Sequence, residues 1–360
     1  MWRLHRRIIR AMPAETYEID PVCDPRWGEF VSNHPRASVF HSVPWLKSLQ
    51  RTYGYRPIAF TTAPPHNPLR NALLFCAVDS WLTGRRLVSL PFSDHCEPLC
   101  DSSKELDLLS RYLLSIQAHR GWKYIEIRPV SPRFSEISGV FSPTRKFQLH
   151  TIDLRLDSDA LFRGFDKDSV QRRIRRAERA CLIEKSGTSD ELIRAFYRLF
   201  VITRRRHGLP PIPRNWFTNL IQEHGNTLAI RVAFKDTQPV AAILTLQLRD
   251  VVYYKYGCSD HKFNRLGATP WLFWNAIVAA KLKGAVQFDL GRTDQGQAGL
   301  LAFKNHWVSS PQELVYWGFP GASAVGPAHG WKMKAAKRIF SFAPESVLVL
   351  TGRLLYRHIG

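Results

Sequence analysis

The 360-residue sequence lacks any long apolar run, and this absence excludes one class of protein. No stretch of about 18 apolar residues occurs, which is close to the length a helix needs to cross a lipid bilayer. No apolar run of seven or more residues follows the basic residues at the start of the chain, so no secretory signal peptide is expected. The sequence therefore predicts a cytoplasmic protein without a transmembrane segment.

Cysteine is also scarce, with six residues that are scattered apart from Cys96 and Cys100. A secreted disulfide framework would normally accompany a signal peptide. Structural zinc sites usually take four ligands from two paired clusters, whereas only His95 stands beside these two cysteines. We therefore expect reduced, buried thiols and no metal site.

Acidic residues are few relative to basic ones, with 30 Asp and Glu against 51 Lys and Arg and a net charge of +21. This surplus favours anionic partners such as nucleic acid, phosphorylated metabolites or an acidic membrane face, without choosing among them. An apolar fraction of 45% predicts a folded chain with a core. The length corresponds to roughly two to three domains.

A β-α-β unit is predicted in the second half. Val251–Cys258 is rich in β-branched and aromatic residues and is typical of a strand. Thr269 followed by Pro270 indicates a helix start, Gly284 its end, and Ala285–Leu290 a second strand. The free backbone N–H groups at such a helix start would suit a phosphate-bearing ligand.

The same order of elements occurs earlier in the chain. A strand over Leu87–His95, an apolar helix and the segment Gly121–Arg128 parallel the later unit, and Ser-Asp-His recurs at Ser93–His95 and Ser259–His261. We interpret this as an internal duplication. A proline- and serine-rich stretch, Pro129–Pro143, predicts the junction. The predicted domains are residues 1–140, residues 141–320 and a basic helical tail over residues 321–360.

A basic helix is predicted after Asp166. Val170, Ile174, Ala177 and Cys181 recur at helical spacing and form one apolar stripe. The remaining surface is arginine-rich, and it is either solvated or an electrostatic seat for a polyanion such as an RNA acceptor stem or a lipid-linked diphosphate. Its arginines are Arg172, Arg173, Arg175, Arg176 and Arg179.

The next helix, from about Asp190, has an inward stripe that continues through Thr203 to Arg206. Burying an isolated charge costs several kcal/mol, on the order of a whole domain's margin. Arg206 must therefore reach solvent, pair with a carboxylate, or face a cleft that holds an anion.

Both ends of the chain place basic residues beside apolar ones. Leu4, Ile8 and Met12 share a helical face among arginines, which is the pattern of an interfacial helix or of a solvated terminus. In the tail, the apolar patch Val347–Leu350 follows several lysines and precedes Arg353. We expect either a peripheral contact with an anionic membrane on its inner face or a helix docked on the body.

A series of motifs along the chain resembles one family. The series is Trp45-Leu46, Thr203 with Arg206-His207-Gly208, Pro239–Ala242, Tyr253–Ser259, Phe288–Arg292, and Phe303-Lys304 with Trp307. Over nearly the whole chain this resembles the Fem-type (FemABX-like) peptidyltransferases and their relatives among the GNAT-like acyltransferases. The resemblance implies an α/β (α+β) fold with tandem duplicated GNAT-like domains, each a mixed sheet flanked by helices.

The resemblance also implies an activity. The family's best-known members transfer an amino acid from aminoacyl-tRNA to an amine of a peptidoglycan precursor, and others act in exopolysaccharide biosynthesis. We therefore expect an N-acyltransferase or aminoacyltransferase acting on a cell-wall or polysaccharide precursor of the cell envelope. The donor substrate would be acyl-CoA or aminoacyl-tRNA, with no permanently bound cofactor. The alternative is a non-catalytic basic protein that binds nucleic acid or an anionic polymer.

Matching motifs imply site residues. Thr203 and Arg206 match residues that face the acceptor in the family, and Lys304 matches a lysine proposed to stabilise the reacting centre. Further expected substrate-binding residues are Tyr254, Tyr256, Arg292 and Trp45. Part of the loop that binds the acyl-CoA pyrophosphate in GNAT enzymes is retained at Arg265, Gly267, Ala268 and Thr269.

The chemistry sets its own requirements. An amine that attacks an activated carbonyl needs positive charge or N–H groups where the oxyanion forms, which Lys304 can supply. It also needs a group that accepts the amine proton. Candidates close to Lys304 in sequence are Asp289, Asp260, His261 and His306, and we place Asp289 beside Lys304 as catalytic.

Overall fold

The computed structural model describes residues 15–132, 134, 140–308, 310–321, 338 and 340–359. The predicted interfacial helix at Leu4, Ile8 and Met12 lies outside the described residues. So do the tail lysines Lys332 and Lys334.

The described strands form one continuous sheet. They are β1 (Tyr17–Ile19), β2 (Arg56–Thr61), β3 (Leu73–Val78), β4 (Arg86–Val88), β5 (Tyr124–Ile127), β6 (Ser142–Asp153), β7 (Ile183–Gly187), β8 (Leu228–Lys235), β9 (Gln238–Leu248), β10 (Val251–Ser259), β11 (Gln287–Asp294) and β12 (Gln312–Phe319). Their order across the sheet is β1-β2-β3-β4-β5-β12-β6-β11-β10-β9-β8-β7. The strand β12 thus joins the two halves of the chain, because it lies between β5 and β6.

The described helices flank this sheet. They are α1 (Pro25–Asn33), α2 (Val43–Tyr53), α3 (Ser103–Arg120), α4 (Ser158–Gly164), α5 (Arg172–Arg179), α6 (Asp190–Arg206), α7 (Arg214–His224), α8 (Ala268–Leu282), α9 (Ala298–Asn305) and α10 (Glu345–Ile359). Among the described residues, no helix combines the length and apolar character that a membrane crossing requires.

Both predicted β-α-β units are present. The strands β4 and β5, joined through α3, pair in parallel, and so do β10 and β11, joined through α8. The other pairings between described strands are antiparallel. The prediction of a duplicated α/β fold with mixed sheets and flanking helices is therefore confirmed.

Local chemistry explains most helix ends. Ser42 caps α2 through a hydrogen bond from the Trp45 amide, and Ser102 with Glu105 forms a capping box at α3. The start of α8 differs from the prediction, because Gly267, not Thr269, is its N-cap residue. Thr269 is the second residue of the helix, so its hydroxyl does not cap the helix.

The sheet has a buried core on each face, because neighbouring side chains of a strand point to opposite faces. On one face, α2, α6 and α7 share a core that draws Trp27 and Phe40 from the first half and Phe196 and Leu244 from the second. On the other face of the second half, α5 and α8 cover a separate core that contains Val252 and Phe288. The predicted boundary after residue 140 remains a prediction.

Two helical stripes end before their last expected residue, and Arg206 reaches solvent, one of the three alternatives left open for it. Val170, Ile174 and Ala177 are buried as expected, but Cys181 is exposed in a turn after α5 has ended. Arg206, at the end of α6, is also exposed and does not continue the inward stripe. A helix that ends at the protein surface leaves its last turn in solvent, so the apolar spacing cannot be extrapolated to it.

Candidate active site

The parallel strands β10 and β11 separate after their first three residues. Their pairing begins at Val251 and Gln287 and stops at Tyr253 and Asp289. Just beyond, β10 has a bulge in which Lys255 is the extra residue. A bulge bends its strand and redirects a side chain. The separation therefore opens a gap in the sheet, with Lys255 at its edge.

Six ionisable side chains surround this gap, and we call them the charge cluster. They are Asp94, His95, Lys255, Asp289, Arg292 and Lys304. The Lys255 ammonium lies 2.7 Å from Asp94 Oδ2, and Arg292 Nε lies 3.9 Å from Asp94 Oδ1. The Lys304 ammonium donates to the carbonyls of Gly291 (2.9 Å) and Arg292 (3.0 Å). One contiguous network thus links the Ser-Asp-His motif of the first half to β10, β11 and α9.

His95 and Asp289 form a buried pair within the cluster. His95 Nε2 lies 3.0 Å from Asp289 Oδ2, and Asp289 Oδ1 accepts a 2.6 Å hydrogen bond from the Gly291 amide. With Nε2–H donated to the carboxylate, the imidazole lone pair resides on Nδ1. Among the described residues, Nδ1 of His95 has no hydrogen-bond partner. The pair therefore holds an oriented imidazole at the cavity, with Nδ1 buried.

The cluster carries a surplus of positive charge. Burial lowers the pKa of Lys304 to about 8, although Asp94 and Asp289 oppose the shift. Burial likewise lowers the pKa of Lys255, again opposed by Asp94. Burial by itself would raise the pKa of Asp94, but Lys255 and then Arg292 outweigh it, and the pKa of Asp94 falls below its ordinary value. Three cations against two carboxylates can stabilise a developing negative charge.

A cavity of about 580 Å³ opens beside this network, between the two halves. His95, Asp289 and Tyr253 line it, together with Arg249, whose guanidinium donates to the carbonyls of His34 (2.7 Å) and Ala37 (2.8 Å). Four charge-assisted contacts of this kind fix the facing loop. The cavity is therefore a formed site with one rigid wall.

A second cavity, of about 600 Å³, lies in the first half beside Arg26, Glu29 and Arg70. It is slightly larger, but no member of the charge cluster lines it. We place the active site at the cavity that contains His95 and Asp289, because reactive groups as well as space are present there. The described residues contain no group of three or more side chains able to hold a metal ion.

The opposite face of the sheet carries a second candidate site. The basic helix α5 packs beside the N-terminus of α8, and Arg176 Nη1 donates to the Arg265 carbonyl at 3.3 Å. A Cβ on Gly267 would lie 2.2 Å from the Arg173 carbonyl oxygen, so only glycine permits this approach. The exposed arginines of α5 thus lie beside the N-terminus of α8. Such a surface suits phosphate groups.

The two candidate sites lie on opposite faces of the sheet. Successive residues of a strand point to opposite faces of a sheet. Val252 and Phe288 accordingly pack towards α8, whereas their neighbours Tyr253 and Asp289 line the cavity. A molecule at the α8 side can therefore reach a molecule in the cavity only where the strands have separated.

Several predicted site residues lie in this region. Lys304, Asp289 and Arg292 belong to the charge cluster. Tyr256 and Trp45 lie under the Lys255 ammonium, with ring centres 5.8 Å and 5.7 Å from it. Trp45 is completely buried, however, and it supports Lys255. The substrate-binding role of Trp45 stays a prediction.

Other predicted residues lie elsewhere. Tyr254 points to the α8 side and packs on Phe273, with ring centres 4.5 Å apart. The Thr203 hydroxyl is used by the backbone of Ser259, at 2.9 Å and 3.1 Å, and fixes the end of β10. Neither Thr203 nor Arg206 is among the described residues that line the cavity.

The other predicted proton acceptors have different surroundings. Asp260 caps the turn that follows β10 by accepting from the Lys262 amide, and His261 is exposed. The sequence analysis missed Asp94, His95 and Lys255. A signal for the first two existed, because the Ser-Asp-His repeat contains both. Lys255 lies inside the aromatic motif of β10.

The comparison with protein families decides the class. Residues 167–305 match the model described as an acetyltransferase (GNAT) domain. The match includes β10, α8, β11 and Lys304. The chain carries a GNAT acyltransferase domain. The protein is accordingly an acyltransferase, and the prediction of an enzyme rather than a passive basic binder is confirmed at this level.

Solved structures extend the likeness to both halves. FemX has a TM-score of 0.63 and 14% identity, over 85% of this chain and 97% of FemX. L-PGS from Bacillus licheniformis has a TM-score of 0.55 and 12% identity, over 89% and 97%. A tandem GNAT protein from the clavulanic acid biosynthesis pathway has a TM-score of 0.52 and 11% identity, over 84% and 97%. The comparison with curated proteins found no match. At these identities the likeness establishes the tandem GNAT fold.

Proposed function

We propose that this GNAT protein transfers an acyl or aminoacyl group to an amine of a cell-wall or polysaccharide precursor. The acceptor occupies the cavity beside His95 and Asp289, and the phosphate-bearing donor occupies the surface formed by α5 and the start of α8. The observation that carries the proposal is the position of the charge cluster at the gap between β10 and β11, two strands whose side chains face both surfaces. A protein that only bound an anionic polymer would have no need of such a buried network.

His95 takes the role of general base. Nδ1 removes a proton from the acceptor ammonium, and Asp289 stabilises the resulting imidazolium through Nε2–H. The amine lone pair then forms a C–N bond to the donor carbonyl carbon, while the carbonyl π electrons move to oxygen. The carbonyl re-forms as the bond to the leaving thiolate or ribose oxygen breaks. The proton on His95 passes to that leaving group, and the nitrogen of the new amide releases its second proton to solvent.

Lys304 and Lys255 stabilise the oxyanion. Two N–H groups of Lys304 are directed to the carbonyls of Gly291 and Arg292, which leaves one for the reacting oxygen. Both ammonium groups are buried, and an electrostatic interaction is stronger away from water. The positive surplus is therefore placed where charge develops.

The donor is acyl-CoA or aminoacyl-tRNA. Both carry phosphates that suit the N-terminus of α8 and the arginines of α5, such as Arg172 and Arg176. The match to a GNAT domain supports acyl-CoA, and the FemX-like fold supports a cell-envelope acceptor. Another similar fold, the C-terminal domain of a putative lysylphosphatidylglycerol synthetase from Agrobacterium fabrum, is named for an aminoacylated lipid, so aminoacyl transfer is included in the proposal.

The proposal is tested by incubating the purified protein with acetyl-CoA or with aminoacyl-tRNA and a panel of amines. The panel contains amino sugars, lysyl peptides and peptidoglycan stem peptides, and products are detected by mass spectrometry. His95→Asn should lower kcat/KM by about a hundredfold or more, the usual contribution of a general base. The matched control is His119→Asn, on the exposed side of α3, which should retain full activity. Absence of transfer from both donors to every amine would refute the proposal.

A further inference from the structure

An exposed apolar surface is not used by the proposed reaction. Val347, Leu350 and Leu354 on α10 are 48%, 58% and 59% exposed, and Trp81 and Leu82 are 83% and 52% exposed. We call these five side chains the apolar surface. Residues three and four positions apart share one face of a helix, so the three α10 residues form a single stripe about 10 Å long.

The orientation of this stripe is fixed by the opposite face of α10. Leu348 is completely buried, and the Tyr356 hydroxyl donates to the Pro210 carbonyl at 3.1 Å and accepts from Arg204. At Gly352 a Cβ would lie 2.0 Å from the Pro211 carbonyl oxygen. The helix is thus docked closely by one side, so its other side is held towards solvent.

Trp81 continues the same stripe. His358 lies four residues after Leu354, and its Nε2 accepts a 3.0 Å hydrogen bond from the Trp81 indole. The Thr83 hydroxyl donates to the His358 carbonyl at 3.1 Å. The turn between β3 and β4 and the end of α10 are therefore one surface built from both ends of the chain. Such a large exposed aromatic side chain beside leucines is unusual for a surface without a partner.

We propose that the apolar surface docks on an anionic lipid bilayer. Arg353 and Arg357 are exposed on α10, and the sequence of this helix contains one acidic residue, Glu345, in its first turn. Apolar and aromatic side chains flanked by arginine are the composition of interfacial helices. The net charge of +21 opposes the alternative occupant, a second copy of the chain, because two such copies repel each other. This inference is independent of the proposed transfer reaction.

The test is flotation of the full-length protein with vesicles of phosphatidylcholine alone or with phosphatidylglycerol added. We expect binding to the anionic vesicles only, weakened as salt is raised, because the Debye length falls to about 10 Å at 0.1 M salt. The double variant Leu350→Ser/Leu354→Ser and the variant Trp81→Ala should each reduce binding at least tenfold. Arg353→Gln/Arg357→Gln should reduce it roughly fivefold per arginine.

The matched control is Leu282→Ser/Lys283→Gln. Leu282 is 84% exposed, and both residues lie at the end of α8, outside the apolar surface. The control should bind like the wild type. The proposal is overturned if the wild type stays unbound at low salt, if neutral vesicles bind it equally, or if the control loses as much binding as the α10 variants. It is also overturned if light scattering shows a dimer that Leu350→Ser/Leu354→Ser dissociates, because the occupant is then a second copy.

Discussion

Lys304 is a buried cation whose protonation state changes near physiological pH. Burial lowers its pKa to about 8, and the nearby carboxylates of Asp94 and Asp289 limit the shift. A residue that stabilises an oxyanion must be protonated, and the protonated form is lost as pH rises through about 8. If Lys304 were instead the general base, it would act in its neutral form and therefore only above that pH. The direction of the pH dependence therefore distinguishes the two roles.

We predict that kcat/KM falls as pH rises above about 8. Lys304→Met, which keeps the buried volume, should lose at least about a hundredfold, the usual cost of one oxyanion donor. The exposed Lys146, changed to Met, is the control. Rates should be measured from pH 6 to 10 with saturating donor. A rate that rises through pH 8 in the wild type would assign Lys304 as the base instead.

The contribution of Lys304 to stability increases with pH, whereas the predicted activity decreases. Loss of activity can therefore be distinguished from unfolding. Between about pH 8 and the ordinary lysine pKa of 10.5, the unfolded chain retains a proton that folded Lys304 has released. Because the unfolded state binds more protons in this window, the contribution of Lys304 to the free energy of unfolding increases with pH. An activity loss above pH 8 without a matching loss of stability would thus arise from chemistry.

At this scale, the sequence could not predict contacts between residues that lie far apart in the chain. Lys304, Asp289 and Arg292 were predicted because they stand in motifs close together. The contacts of Asp94 and His95 were not predicted. Asp94 lies 161 residues from Lys255 in the chain, and His95 lies 194 residues from Asp289. Residue type and spacing give no information on which remote side chains meet in space.

At the scale of elements, the N-terminus of α8 depends on one close approach. Gly267 precedes the helix with a positive φ of 77°, and its α carbon faces the Arg173 carbonyl of α5. Gly284, after the same helix, has a similar φ of 80°, but a Cβ added there would have no atom within 4 Å. The two glycines thus share a backbone conformation and differ in their surroundings.

We predict that Gly267→Ala separates α5 from α8 and weakens donor binding, whereas Gly284→Ala does not. Left-handed strain costs about 1 to 2 kcal/mol at either position, so any further loss at Gly267 measures the clash with Arg173. Urea unfolding gives the free energies, and calorimetry with coenzyme A gives donor affinity. Equal losses of stability and affinity in the two variants would contradict a donor site at this helix start.

Elements were easier to predict than the breaks within them. Periodicity and turn residues located β10, α8 and both β-α-β units, because burial imposes a period of two on strands and 3.6 on helices. The start of α8 was predicted at Thr269, because Thr-Pro is a strong signal for the start of a helix. The helix begins instead at Ala268, with Gly267 as its N-cap residue. The bulge at Lys255 has no local signature. It depends on the register against β9, which only the folded sheet defines.

At the scale of the whole molecule, β12 connects the halves. It pairs with β5 of the first half through Trp317 and Ile127, and with β6 through Leu314 and Phe147. A core shared by both halves reinforces this connection. Sequence composition placed a junction near residue 140, but it could not show that the last strand returns between the two halves. We therefore expect the halves to unfold together.

The final prediction tests this coupling with Leu314→Ala. Leu314 is completely buried on β12, and removing a buried leucine side chain costs about 2 to 5 kcal/mol. If the halves form one cooperative unit, hydrogen exchange should report the same loss of protection in α3, from the first half, and in α6, from the second. Val315→Ala, on the half-buried side of the strand, is the control and should cost less. Two separate unfolding transitions, with α3 unaffected by Leu314→Ala, would show instead that each half folds by itself and that β12 only adjoins them.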